Sequence, residues 1–373
     1  MTGFQPPPYP YDRLDPLRAL GAAHEGGLVD LSVGTPCDPP SAAVVAALGA
    51  SGAEAGYPAS IGSPSFREAA AGWLRRRFGV DVGPTQLAAC VGTKEFVASV
   101  PHLLRLREPD RDTVLYPAVS YPTYAMGAIL AGCRAVPVAV DDGWHLDLSS
   151  IDDGDAARAL CLWVNTPANP TGAVDPLGTA AAWGRAHGVP VFSDECYVEF
   201  TWNGPGHTIL EHGLDGTVAV HSLSKRSNMA GLRAGFYAGD GELVHYLSEV
   251  RKHAGLMMPG PVQLAAGVAL EDDAHVEEQR QRYRERLELL RGAFGDAGVD
   301  VSFPEGTFYL WVGAPAGDAW AFTERLAKEA GILVSPGEFY GPDGADHVRV
   351  AVVQPTTRLE LAARRLRGSV LTS

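Results

Sequence analysis

Only four lysines occur in the 373 residues, Lys94, Lys225, Lys252 and Lys328, so amine chemistry has few candidates. Lys252 lies in the charged run Arg251-Lys-His253 and Lys328 in Arg325-Leu-Ala-Lys-Glu329, both suited to solvated helix faces. Lys225 has different neighbours. The stretch Ser222-Leu-Ser-Lys-Arg-Ser-Asn-Met-Ala-Gly-Leu-Arg233 combines small hydroxyl residues with an arginine eight positions on (233 − 225). The two serines and Arg233 can grip a phosphate dianion, the guanidinium forking onto its oxygens. Lys225 can then form a Schiff base with an aldehyde held by that phosphate. A solvated lysine is the plainer alternative, but the flanking HSLS and AGLRAG are not a charged face. Lys94, in Gly92-Thr-Lys-Glu95, is the only rival. That segment reads as a strand-to-helix turn whose backbone N–H groups and Thr93 hydroxyl can hold a phosphate, although ordinary structural turns look the same.

Two further segments carry candidates. Asn165-Thr-Pro-Ala-Asn-Pro-Thr-Gly172 contains two X-Pro bonds, which fix a short loop and can hold an Asn amide in one orientation. Asp194-Glu-Cys-Tyr197 follows an apolar run, and an Asp at the end of a buried strand needs a partner. It either caps the next helix or pairs with a cationic ring nitrogen.

The elements that must position these residues are legible as alternating apolar and amphipathic stretches. Short apolar runs at Leu87–Val91, Thr113–Tyr116, Ala135–Val140, Ala159–Val164, Val189–Ser193 and Thr217–His221 predict strands separated by helices. That alternation predicts an α/β fold with a mainly parallel sheet covered on both faces. Ligands of such sheets bind beyond the strands' carboxyl ends, where the distinctive residues cluster. Ser65-Phe-Arg-Glu68 fits a capping box for a helix that buries Phe66, Ala70, Trp73 and Leu74 and stops at Gly79. Near 272 the character changes. Asp273–Phe294 predicts a long charged helix, followed by strands at Val299–Phe303 and Thr307–Val312, a helix at 318–330 and a strand at His347–Val352. The expected organisation is an N-terminal arm and part of a small domain at 1–40, a large domain at 41–271, and a small α+β domain at 272–373.

The 30 Lys+Arg against 44 Asp+Glu leave a net charge of −14, which disfavours nucleic-acid and anionic-membrane partners. No apolar run approaches the roughly 20 residues of a membrane span. MTGFQPPPYPYDRLDP lacks the basic and apolar regions of a signal peptide. The five cysteines are scattered without a CxxC, so no disulfide frame or metal site is expected, and a cytoplasmic location is.

Jointly, these motifs resemble the fold-type I pyridoxal-phosphate enzymes, specifically the class I/II aminotransferases, in order and over nearly the whole chain. The resemblance implies an aspartate-aminotransferase-like fold and pyridoxal 5'-phosphate as cofactor. Lys225 resembles the lysine that binds the cofactor, and Asp194 the acid that keeps its pyridine nitrogen protonated. Asn169 and Tyr197 resemble the pair that hydrogen-bonds the phenolic oxygen, and Tyr121 the aromatic residue stacked on the ring. Thr93, Lys94 and Glu95 at their turn, with Ser222, Ser224 and Arg233, resemble the phosphate cup. Tyr57 resembles a tyrosine that reaches the neighbouring subunit's phosphate, which implies a homodimer with shared sites. Arg349 resembles the arginine that clamps the substrate carboxylate, and Gly34 a glycine whose backbone lies against the substrate.

The implied reaction is ping-pong transamination between an amino acid and a 2-oxo acid. Tyr9-Pro-Tyr-Asp-Arg-Leu-Asp-Pro16, the block from Val29 to Pro36, and Gly56-Tyr-Pro-Ala-Ser-Ile-Gly62 are similar to actinobacterial N-succinyldiaminopimelate aminotransferases. That likeness implies N-succinyl-LL-2,6-diaminopimelate and 2-oxoglutarate as substrates, in lysine and diaminopimelate synthesis. An aspartate-like, aromatic or branched substrate, or a C–S β-lyase on the same fold, would keep the same cofactor residues. Arg226 and Asn228 are candidates for the distal end of the substrate, with an ordinary structural role as the alternative.

Overall fold

The computed structural model describes residues 4–50 and 52–369. The chain divides into two units, a larger one of Thr35–Arg282 and Pro304–Thr307, and a smaller one of Met1–Gly34, Tyr283–Phe303 and Phe308–Ser373.

The larger unit is built on seven strands: β1 (Leu87–Cys90), β2 (Thr113–Pro117), β3 (Arg134–Val138), β4 (Ala159–Asn165), β5 (Val191–Asp194), β6 (Thr217–Ser222) and β7 (Gly235–Gly239). Their order across the sheet is β1-β7-β6-β5-β4-β2-β3. Every pair from β6 to β3 is parallel, and β7 runs antiparallel to both its neighbours. The mainly parallel α/β fold expected from the sequence is therefore present. Strands β4, β5 and β6 are buried along their whole length. Both faces are covered, so their sequences run apolar without alternation. β7 is an addition to the expected set. Its Gly-Phe-Tyr-Ala-Gly sequence has only three side chains between glycines, too short a run to announce a strand.

Helix α1 (Pro64–Phe78) buries Phe66, Ala70, Trp73 and Leu74 as expected, and ends at Gly79 in a left-handed conformation with φ 69°. Its start differs from the capping box at Ser65. The cap is Ser63, whose hydroxyl accepts the Phe66 N–H at 3.2 Å. Pro64 explains the shift, because a proline with no N–H and a helix-compatible φ favours the first helical position. Helix α2 (Thr93–Arg107) follows β1, and the long helix α3 (Ala274–Asp296) crosses the division between the units at 282/283.

In the smaller unit, Tyr309–Gly313, Ser335–Pro336 and His347–Ala351 form an antiparallel sheet with the last at its centre. The strand expected at Val299–Phe303 forms no ladder among the described residues. Val299 and Val301 are buried while Asp300 and Ser302 are exposed, so the two-residue period is real but a ladder is missing. The helix expected at 318–330 is an α-helix over Ala319–Arg325 that widens to a π-turn over Leu326–Ala330. Part of the arm is regular too: Asp15–Ala22 is helical, with Pro16 in its first turn. Among the described residues no helix is long and apolar enough to cross a membrane, and no cluster of His, Cys, Asp and Glu has the makings of a metal site.

Candidate active site

The parallel register of the larger sheet sets the ends of its strands side by side. Asn165, the last residue of β4, is opposite Asp194, the last of β5, and β6 ends beside them at Ser222. This is the edge at which open α/β sheets bind ligands.

Asp194 is 6% exposed, too buried for a carboxylate to be left to water. Its Oδ2 accepts the Tyr124 hydroxyl at 2.9 Å and its Oδ1 the Cys196 N–H at 3.3 Å. Burial raises its pKa, and the bonds from Cys196 and Tyr124 oppose that rise. A nearby cation would stabilise the ionised form further. Tyr124 is held far above its ordinary pKa by burial and by the Asp194 charge, so it stays a donor. Asn165 ties the row together. Its Nδ2 donates to the Asp194 carbonyl at 2.9 Å, and its Oδ1 accepts the Asn169 N–H at 2.8 Å. The loop that follows Asn165 contains cis bonds at Thr166-Pro167 and Asn169-Pro170. Asn169 and Tyr197 are both 6% exposed.

Neither Tyr124 nor Asn165 was among the residues expected from sequence. Tyr124 shares the Tyr121-Pro-Thr-Tyr motif, and Asn165 is the first residue of the loop already singled out, so the segments were visible even though the roles were not.

The residues expected to hold a phosphate lie at the turn from β1 into α2 and at the end of β6. Gly92 has φ 75°, and a Cβ there would come within 2.7 Å of the Arg233 guanidinium carbon. Only glycine lets that side chain approach the helix start so closely. Thr93, Lys94 and Glu95 form the first turn of α2, with the Thr93 hydroxyl 3.2 Å from the Cys196 thiol. The Glu95 carboxylate is gripped by Arg251 through bonds of 2.7 and 2.6 Å, so what Glu95 can offer a phosphate is its main-chain N–H. Ser222 caps the short helix Leu223–Arg226 by accepting the Ser224 N–H at 3.1 Å, and Lys225 is the third residue of that helix. Arg233 has φ 57° and donates to the Ala230 carbonyl at 2.8 Å. The half-buried Tyr121 packs edge-on to Tyr124, with the Lys94 amine 5.9 Å from its ring centre.

Three expected residues lie apart from this cluster or are otherwise engaged. Tyr57 is 98% exposed. Arg226 is buried against Glu199, 3.4 Å away, donates to the Ala269 carbonyl at 2.9 Å and lies over the Trp73 ring. Asn228 donates to Gln279 at 3.0 Å. The last two hold the larger unit together, which is the structural alternative set out above.

In the smaller unit Arg349 is 3% exposed. It donates to the Ser32 carbonyl at 2.7 Å and the Tyr11 hydroxyl at 3.2 Å, and its guanidinium carbon sits 4.2 and 4.9 Å from the Tyr309 and Tyr340 ring centres. Stacking on aromatic faces fixes the plane of the fork. Tyr11 and Tyr340 share a hydrogen bond of 2.9 Å. Burial pushes the Tyr11 phenol up, but Arg349 and the bonds to Tyr340 and Ser335 outweigh it, leaving its pKa below the ordinary value. A Cβ on Gly34 would lie 2.9 Å from the Tyr309 ring, so this position needs glycine.

A buried carboxylate suited to a cation, a lysine, and a helix start at Gly92 that the Arg233 guanidinium approaches closely suit pyridoxal 5'-phosphate. The family model of class I and II aminotransferases matches residues 27–366. The chain is a class I/II aminotransferase. A 4-dedimethylamino-4-oxo-anhydrotetracycline transaminase from Streptomyces rimosus is 43% identical over 370 residues, covering 96% of this chain and 99% of the relative. An LL-diaminopimelate aminotransferase from Desulforudis audaxviator is 34% identical over 376 residues, covering 97% and 95%. Among solved structures, a probable N-succinyldiaminopimelate aminotransferase from Thermus thermophilus is similar with a TM-score of 0.87, 31% identity, and coverage of 96% of this chain and 100% of the other. This aminotransferase therefore has the aspartate-aminotransferase-like fold and depends on pyridoxal phosphate.

Proposed function

We propose that this aminotransferase moves an amine from N-succinyl-LL-2,6-diaminopimelate to 2-oxoglutarate, as a cytoplasmic homodimer in which Tyr57 serves the neighbouring subunit's phosphate cup. The observation that carries the chemistry is the row of strand ends: Asp194, Asn169 and the Ser222-to-Arg233 segment occupy one edge of one sheet. Pyridoxal phosphate, when bound, supplies the electron sink that makes loss of the substrate Cα proton feasible. Asp194 holds the proton on the ring nitrogen, with Tyr124 and the Cys196 N–H fixing its carboxylate. Asn169 and Tyr197 hold the ring oxygen, and Tyr121 covers the ring face. Thr93, Ser222, Ser224, Arg233 and the backbone of Lys94 and Glu95 bind the phosphate. Lys225 would hold the cofactor through its side-chain amine, and that amine, when free, would serve as the base for the substrate Cα proton. Arg349 holds the α-carboxylate as a two-pronged fork, with Gly34 leaving room for the substrate.

The substrate pair is supported by the likeness to the Thermus structure over the whole of its length and by the diaminopimelate aminotransferases among the relatives. One observation favours a second reading, a ketone on a fused-ring acceptor: the Streptomyces transaminase is the more similar at 43% identity. Amino donors mixed with the loaded protein separate the two. Loss of the visible absorption with N-succinyl-LL-diaminopimelate, and its return with 2-oxoglutarate, is expected. If that donor leaves the band unchanged while another donor discharges it and a ring ketone restores it, the second reading holds.

A further inference from the structure

Phe303 and Phe308 belong to the smaller unit, yet the four residues between them, Pro304–Thr307, belong to the larger one. Within the larger unit this short excursion is bonded at every residue after the proline. The Glu305 carbonyl accepts the Trp202 N–H at 2.7 Å, and the Gly306 N–H donates to the Gly172 carbonyl at 2.8 Å. The Thr307 N–H donates to the Phe200 carbonyl at 2.9 Å, and the Thr307 carbonyl accepts the Trp202 indole N–H at 2.8 Å. The Glu305 side chain adds a fifth tie: its Oε2 accepts the Val174 N–H at 2.8 Å and lies 3.3 Å from His145 Nε2.

The contact is also steric. A Cβ on Gly306 would come within 2.5 Å of Pro167 Cγ, and one on Gly172 within 2.8 Å of the Gly306 carbonyl. The two glycines let main chain lie on main chain. Besides Phe200, Trp202 and His145, what is gripped here belongs to one loop. Pro167 precedes Asn169 by two residues, and Gly172 and Val174 follow it. Inside the loop the Gly172 N–H bonds the Ala168 carbonyl, and the Ala168 N–H bonds the Ala173 carbonyl, both at 2.8 Å. On its other side the Asn169 N–H is held by Asn165, which in turn holds the Asp194 carbonyl. Asn169 is thus braced from both directions.

We propose that Pro304–Thr307 is a positioning element for Asn169: it presses and bonds the 167–174 loop so that the Asn169 amide meets the cofactor's ring oxygen. This rests on the role given to Asn169 above. The requirement is physical, because a donor aimed at one oxygen must be held to within about 0.5 Å by its supporting residues.

The test uses the cofactor-loaded protein and reads the pH midpoint of its visible absorption, together with the cofactor's affinity for the stripped protein. A donor to the ring oxygen favours its ionised form, so removing the donor moves the midpoint upward. Asn169→Ala should raise it by about one pH unit, the equivalent of one hydrogen bond to a charged group. Gly306→Ala should raise it comparably, by displacing Pro167, and Glu305→Gln should raise it by less. Glu305→Gln keeps size and shape, so it reports even if Gly306→Ala does not fold. An upward shift in Asn169→Ala with no shift in Gly306→Ala or Glu305→Gln overturns the inference and leaves the site intact. No shift in Asn169→Ala overturns the assignment of Asn169 itself, and the inference falls with it.

Discussion

Two kinds of buried charge occur in this aminotransferase. Arg251 is met by Glu95 through a pair of bonds of 2.7 and 2.6 Å, and Arg226 lies 3.4 Å from Glu199. In both, the opposite charge comes from the protein's own side chains. Asp194 and Arg349 make hydrogen bonds and ring contacts of another kind. Asp194 is held by a phenol and a main-chain N–H, and Arg349 by a carbonyl, a phenol and two aromatic faces. At Asp194 these neutral groups fix the carboxylate without neutralising it. Burying such an ion costs stability, and the arrangement makes sense where a ligand of opposite charge completes it. The two also differ from each other. Asp194 is placed by a strand end and its hydrogen-bond row, whereas Arg349 is placed by the planes of aromatic rings.

The largest expected effect tests the row of strand ends. Lys225→Ala should lower kcat by ~10⁴-fold or more, since it removes the proton-transfer group, and should abolish the visible absorption of the loaded protein. Stopped-flow absorbance and steady-state rates check both. A normal visible band in this variant would move the amine chemistry to Lys94 and leave the row without its central member.

How far the sequence went follows the same division. The residues of the row stand in contiguous motifs, each just after an apolar run, so strand ends and candidate site residues were legible together: Asp194 after Val191–Ser193, Ser222 after Thr217–His221. What escaped was whatever depends on distant contacts. β7 is three side chains between glycines and becomes a strand only because two neighbours accept it. Tyr124 acquires its role from Asp194, seventy residues away (194 − 124). Val299–Phe303 has the alternation of a strand, and no local signal says that a partner is missing. The Ser63 cap was locally readable, since Pro64 favours the first turn, and the Ser65-to-Glu68 pattern masked it. For Arg226 and Asn228 the surrounding motif suggested chemistry, while burial against Glu199 and the bond to Gln279 give them structural work. Nothing in the sequence near 304–307 marks four residues that leave one unit for the other.

The comparison sharpens at Arg349. Arg349→Ala should reduce kcat/KM by roughly 10²-fold, from two charge-assisted hydrogen bonds of about 1.5 kcal/mol each. KM should rise and kcat should also fall, because a loosely held carboxylate spoils the alignment of the Cα–H bond. Steady-state kinetics with both substrates decide it, and an unchanged KM would place the carboxylate elsewhere.

The smallest effect comes from the aromatic setting of that arginine. Tyr11 is neutral at low pH and steadies the fork through its hydroxyl. Its pKa lies below the ordinary phenol value, chiefly because Arg349 overcomes the effect of burial. As pH rises through that pKa the phenol becomes an anion beside the guanidinium and competes with the substrate carboxylate. Binding of a carboxylate ligand should therefore weaken on the alkaline side, whereas Tyr340, held well above its ordinary pKa by burial, stays neutral there. Tyr11→Phe should weaken binding several-fold at neutral pH, the worth of about 1 kcal/mol for one neutral hydrogen bond. The same change should flatten the alkaline rise in Kd. The ligand to use is a dicarboxylate without an amine, so that no titration of the ligand enters the profile. If the rise survives in Tyr11→Phe, then the aromatic setting fixes the arginine's position without tuning its charge, and the contrast with the row around Asp194 is one of geometry alone.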